Sequence, residues 1–267
     1  LDREGENGFS GVVLVQTPNH DPLIRCYGYA NEEQLIPNSP QTAFNIGSIT
    51  KQFTGAAILK LEMMGKLSVN DSIGRYLPSI SPDKKCITFH QLLTHTSGLP
   101  FDIGSEGDVL TREAFMDKIN ETPLICPPGT AYHYSHVGFS LLGVLIETIS
   151  GNDYESFLRT HLFEPARMNL TGYRMPDWLS ATVAHGYRFC NDWGGPMDNG
   201  WLEDGPSWKR RAGGEMLSTV EDLYAWHKAL QGNEILNESS KRKYYFPEKQ
   251  VVVNESQTAG YGWRVIN

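Results

Sequence analysis

The sequence predicts an α+β protein in which an antiparallel β-sheet is flanked by helices and carries a large, mainly helical insertion. Three features point there: a strand-rich start, a helical middle and a return toward strand near Gln250-Val-Val-Val253 and Gly262-Trp-Arg-Val-Ile266. Residues 1–45 with 210–267 are read as the sheet region and 46–209 as the mainly helical region. At 267 residues and 40% hydrophobic content the chain can bury a sizeable core, in one large domain or two closely packed ones.

The runs Phe9–Gln16 and Leu23–Tyr27 are β-branched and apolar, and Thr17-Pro-Asn-His-Asp21 between them is turn-forming, which predicts a hairpin. From Ser48 to Met64 the chain is apolar on almost every side, as suits a helix at the centre of a protein. Thr88-Phe-His-Gln91 and Ser218-Thr-Val-Glu221 fit the capping box that starts a helix. Helical pattern fills Phe139–Ile149 and Tyr154–Phe163, and the Gly-, Pro- and Trp-rich stretch from about Trp178 to Arg211 suits an ordered loop.

A net charge of −8 offers no basic field for nucleic acid or an anionic membrane surface. No segment approaches the roughly 18 continuous apolar residues of a membrane span. Leu1 in place of Met suggests a trimmed chain, so the compartment stays open, with periplasm or secretion slightly favoured over cytoplasm. The oligomeric state is likewise open. Cys26, Cys86, Cys126 and Cys190 lack metal-site spacing and read as buried thiols.

Ser-x-x-Lys on a helix sets a hydroxyl and an amine on one face, where the amine can take the serine proton during attack on a carbonyl. The pattern occurs three times, at Ser48/Lys51, Ser81/Lys84 and Ser240/Lys243. The latter two sit in charged, solvent-like sequence that keeps a lysine ionised. Lys51 lies at the first turn of the most apolar helix, where desolvation lowers its pKa, and Ser48 lies where free amides favour negative charge. The competing reading is a serine N-cap beside a snorkelling lysine.

Context decides between them. Phe44-Asn-Ile-Gly-Ser-Ile-Thr-Lys-Gln-Phe-Thr54 resembles the nucleophile motif of the class C β-lactamase-like serine hydrolases, within the serine β-lactamase and penicillin-binding-protein superfamily. The resemblance continues through Gly65-Lys-Leu-Ser-Val-Asn-Asp-Ser72, Leu92-Leu-Thr-His-Thr-Ser-Gly-Leu-Pro100, Pro127-Pro-Gly-Thr130, Tyr134-Ser-His136, Ala212-Gly-Gly-Glu215 and Gly260-Tyr-Gly-Trp263. It implies a β-lactamase/transpeptidase-like fold. It also implies a serine hydrolase acting on a small-molecule ester or amide without metal or organic cofactor. Ser48 would be the nucleophile, Lys51 its proton partner and Tyr134 a proton relay, coupled to Lys51 and able to ionise beside it.

Two departures matter. The second motif is often Tyr-x-Asn, whereas here His136 takes the third place, as a bulkier substrate-binding group that titrates near neutrality. This favours carboxylesterase-like or small-amide hydrolysis over β-lactamase or D,D-peptidase activity. The family's third motif, His-x-Gly or Lys-Thr-Gly, does not follow Trp263. The expectation is therefore a chain truncated before that strand and poorly active alone, or a non-catalytic binding module. His95 reads as a satisfied buried histidine, and Trp193, Trp201 and Trp208 as pocket or core residues.

Overall fold

A computed structural model describes residues 8–105, 107–175, 178, 183–188, 191–198 and 200–266. Cys190, parts of the aromatic-rich loop and the chain's extreme residues lie outside the described residues. Strands β1 (Gly11–Val15) and β2 (Leu23–Tyr27) pair antiparallel as a hairpin, with Gly11 opposite Tyr27 and Val15 opposite Leu23. Strands β3 (Tyr29–Asn31) and β4 (Ile36–Pro37) make a second short ladder. Strand β5 (Phe44–Asn45) delivers the chain to a 3₁₀ turn at Gly47–Ile49, which feeds helix α1 (Thr50–Met63).

Helix α1 buries residues around its circumference, among them Phe53, Ala56, Ala57, Ile58, Leu59 and Leu61. Such a helix has no solvated face, so neighbours must cover every side. Phe53 meets Phe163 and Trp226 edge-on, with ring centroids 5.1 and 5.0 Å apart. Truncating Phe53 to alanine would leave a cavity costing about 3–5 kcal/mol.

The cover comes largely from later helices. After α2 (Phe89–Leu93) and α3 (Arg112–Glu121) come α4 (His136–Ser150), which packs on α1, and α5 (Tyr154–Leu158), which runs into a π turn at Arg159–Phe163 and with it also packs on α1. Thr88 closes α2 with a complete capping box, its side chain accepting from Gln91 N while the Gln91 side chain accepts from Thr88 N. Short antiparallel pairs follow within the expected helical stretch: β6 (Gly186–Arg188) with β7 (Asn191–Gly194), and β8 (Trp201–Leu202) with β9 (Gly205–Pro206).

Strand β10 (Leu217–Ser218) pairs antiparallel with β5. Helices α6 (Val220–Gln231) and α7 (Glu238–Tyr245) precede a meander of β11 (Val251–Asn254), β12 (Gln257–Ala259) and β13 (Arg264–Ile266). The cap of α6 is Thr219, which accepts from Asp222 N, one residue beyond the expected Ser218. The protein is thus α+β, with its antiparallel strands divided among small ladders.

Two glycines let the last strands cross α1. A Cβ on Gly55 would stand 2.4 Å from the Tyr261 carbonyl oxygen. Gly262 has φ +86°, and a Cβ there would stand 2.4 Å from the Lys51 carbonyl oxygen. Backbone contact at these two points brings Trp263 and Arg264 over the start of the helix. Cys26, Cys86 and Cys126 are free thiols, and Cys86 is exposed rather than buried. Among the described residues no helix is long and apolar enough to cross a membrane.

Candidate active site

The turn at Gly47–Ile49 sets Ser48 at the protein surface just before α1, while Lys51, one residue inside the helix, is 2% exposed. Gly47 supplies the bend, with φ +50°, and its N–H donates to Asn45 Oδ1 at 2.9 Å. Strand β10 fixes the other side, since Ile46 N donates to Met216 O at 2.9 Å and Met216 N to Thr50 Oγ1 at 3.3 Å.

Four groups surround the pair. The Tyr134 hydroxyl donates to Ser48 Oγ at 2.8 Å, and Lys51 Nζ lies 3.4 Å from the same oxygen. Lys51 Nζ also donates to the Gly213 carbonyl and lies 3.2 Å from His136 Nδ1. The ring faces of Tyr134 and Phe139 stand 5.0 and 5.4 Å from that nitrogen. Among the described residues no acceptor takes the Ser48 N–H, which leaves it for an oxyanion.

Burial pulls the Lys51 ammonium down to about 7, so a substantial share is neutral amine near neutrality. Burial, with the adjacent Lys51 charge, holds His136 at about 4, which makes its imidazole a neutral acceptor for Lys51. Tyr134 differs from the sequence expectation. Desolvation raises its pKa, and this outweighs the lowering by Ser48 and by Arg264, whose guanidinium stands 5.9 Å from the ring. A phenol that donates to Ser48 is therefore the resting form, with no phenolate.

His95, buried at 7% exposure, supports this wall. Its Nδ1 accepts from Ser135 N at 3.1 Å, and its ring lies 4.4 Å from the Tyr134 ring, centroid to centroid. Burial holds it at about 3, so it stays neutral and structural. Phe101 packs edge-on to His136 at 4.9 Å, while its carbonyl takes the His136 N–H at 2.9 Å. Ser48, Lys51, Tyr132, Tyr134, Trp263 and Arg264 line a cavity of about 290 Å³.

The rival Ser-x-x-Lys pairs differ in their lysines. Lys84 is not solvated as expected, being 1% exposed, yet its Nζ sits 2.8 Å from Asp83 Oδ2 as well as 3.0 Å from Ser81 Oγ. Its amine is thus committed to an ion pair with the neighbouring carboxylate. Lys243 pairs with Glu62 at 2.9 Å. Trp208 belongs to the core, whereas Trp193 is 56% exposed and walls a cavity of about 300 Å³ with Phe44 and Asn45.

Glu33, His185 and Asp192 place one potential metal ligand atom each within 4.8 Å of one another. They already bond internally, His185 Nδ1 lying 3.0 Å from Asp192 Oδ2, and none lines the Ser48 cavity. The Gly213 carbonyl and Arg264 are the site groups that residue types alone did not mark. The only sequence signal for the former was the Ala212-Gly-Gly motif.

The chain is 30% identical to a penicillin binding protein from Bacillus halodurans, whose solved structure superposes with a TM-score of 0.82 over 99% of this chain and 81% of that one. The D-amino acid amidase from Ochrobactrum anthropi SV3 shares the fold at 23% identity, with a TM-score of 0.82 over 100% of this chain and 80% of that chain. Protein flp of Staphylococcus aureus (strain MW2) is 32% identical over 217 residues, which is 77% of this chain. PbpX of Bacillus subtilis (strain 168) is 29% identical over 97% of it. The chain spans 42% of the length of flp and 63% of PbpX. The sequence model of the Beta-lactamase family matches residues 2–266, and this chain belongs to that family.

Proposed function

We propose that the protein is a serine hydrolase that forms an acyl-enzyme on Ser48 from a small-molecule ester or amide. The observation that carries this reading is the convergence of Tyr134 Oη and Lys51 Nζ on Ser48 Oγ, at 2.8 and 3.4 Å. As Oγ bonds to the substrate carbonyl carbon, its proton passes to the neutral amine of Lys51. The carbonyl oxygen becomes an oxyanion facing the Ser48 N–H. Tyr134 then gives its proton to the leaving group and is reprotonated from Lys51. Water repeats the sequence on the acyl carbon, releasing the acid and restoring Ser48. No cofactor takes part in these steps.

Within this class we favour short esters and small amides over β-lactams and D,D-peptides. His136 stands where the family often has an amide, and its Nδ1 lies 3.2 Å from Lys51 Nζ with its ring packed on Phe101, so it serves the lysine and offers no side-chain amide to a β-lactam or peptide. The test is kcat/KM for p-nitrophenyl acetate and butyrate against a chromogenic cephalosporin, in wild type and Ser48→Ala. Faster Ser48-dependent ester turnover supports the assignment. A larger value for the cephalosporin restores the β-lactamase reading, and no Ser48-dependent turnover of either leaves a binding module.

A further inference from the structure

A third cavity, of about 530 Å³, opens between Asn70, the α2 residues His90 and Gln91, the α7 residue Lys243 and the segment Glu248–Val251. Neither Ser48 nor Lys51 lines it. Its polar lining includes several hydrogen-bond donors, and bonds already made orient two of them.

His90 is 8% exposed, and its Nδ1 lies 2.9 Å from the Tyr261 hydroxyl. Burial raises the Tyr261 pKa, so that hydroxyl keeps its proton. Among the described residues it has no other acceptor, and on that ground we assign it as the donor to Nδ1. The imidazole proton then sits on Nε2, which has no partner among the described residues. His90 thus offers a donor to the cavity from an otherwise buried ring.

Gln91 is oriented in the same way. Its Oε1 accepts from Thr88 N at 2.9 Å, which commits the oxygen to the helix cap and leaves the amide nitrogen beside Gly129 on the cavity wall. Lys249 adds an ammonium with no carboxylate partner among the described residues, and Lys243 adds one shared with Glu62. Glu248 is the one acid in the lining.

We propose that this cleft binds a phosphate-bearing small molecule through His90 Nε2, the Gln91 amide and Lys249, with Lys243 alongside. His90 and Gln91 present their donors from α2, and Lys249 presents its own from the segment that precedes β11. A tetrahedral oxyanion can meet all of them, whereas a carboxylate presents two oxygens in one plane. The volume leaves space for an organic body beyond the phosphate.

The test is calorimetric titration of the whole chain with glucose 6-phosphate, glucuronate and glucose. Variants are Lys249→Ala, His90→Asn and Ser48→Ala. Asparagine at 90 keeps a polar partner for Tyr261 while removing the Nε2 donor, and the exposed Lys249 can change without disturbing the core. Saturable binding of glucose 6-phosphate is expected, weakened about tenfold or more in each of the first two variants, a loss of about 1.4 kcal/mol, and unchanged in the third. Two results would overturn the site: no saturable binding of the phosphate, or wild-type affinity in both Lys249→Ala and His90→Asn. Tighter binding of glucuronate than of glucose 6-phosphate would overturn the phosphate assignment.

Discussion

Lys51 Nζ lies 3.2 Å from His136 Nδ1. The imidazole, held at about 4, is neutral wherever the lysine, held at about 7, changes charge. His136 therefore adds no second charge to that change. One proton on Lys51 governs the acid side of the reaction.

The ester kcat/KM should accordingly rise with pH through a single-proton midpoint near 7, the value at which burial leaves Lys51. No further limb from His136 should appear above about pH 5. Lys51→Arg, whose guanidinium stays protonated, should fall to the level of Ser48→Ala. A pH–rate profile of both proteins checks this.

Tyr134→Phe should keep the wall against His95 and Phe101 but remove the proton that reaches the leaving group. The expected loss is about 10²–10⁴-fold in kcat with little change in KM, the usual range for one general acid. Steady-state kinetics separates the two constants. The loss should shrink for substrates with good leaving groups, which need protonation least.

Lys51→Met should stabilise the fold while abolishing turnover. A buried ammonium is costly, and replacing it by an apolar chain of similar length should raise the unfolding free energy by about 1–3 kcal/mol at pH 7, partly offset by loss of the Gly213 carbonyl's partner. The sign follows from the folded value near 7 lying below the ordinary 10.5. Wild type loses stability as pH falls from 10.5 toward 7, so its deficit against the variant widens over that window and levels off below it. Urea unfolding at several pH values measures it.

Much of this arrangement was visible in the sequence because it is local. Ser48 and Lys51 share one helical turn, the apolar run to Met63 marks a central helix, and the Thr88 and Gln91 side chains bond within three residues. The Ser218 cap failed by one place because Ser218 and Thr219 offer equivalent oxygens, and only the backbone path to Asp222 chooses between them. Tyr134 could be named from collinear motifs, but not its donor state, which depends on burial against His95 and Phe101. Lys84 misled in the opposite sense, since a charged local sequence hid a buried lysine whose partner, Asp83, is its neighbour. The Gly213 carbonyl on Lys51 joins positions 162 residues apart and has no local signature.

The most direct test of acylation at Ser48 is intact-mass analysis after reaction with a fluorophosphonate, in wild type, Ser48→Ala, Ser81→Ala and Ser240→Ala. One adduct is expected on wild type, Ser81→Ala and Ser240→Ala, and none on Ser48→Ala. Undiminished labelling of Ser48→Ala would contradict the account.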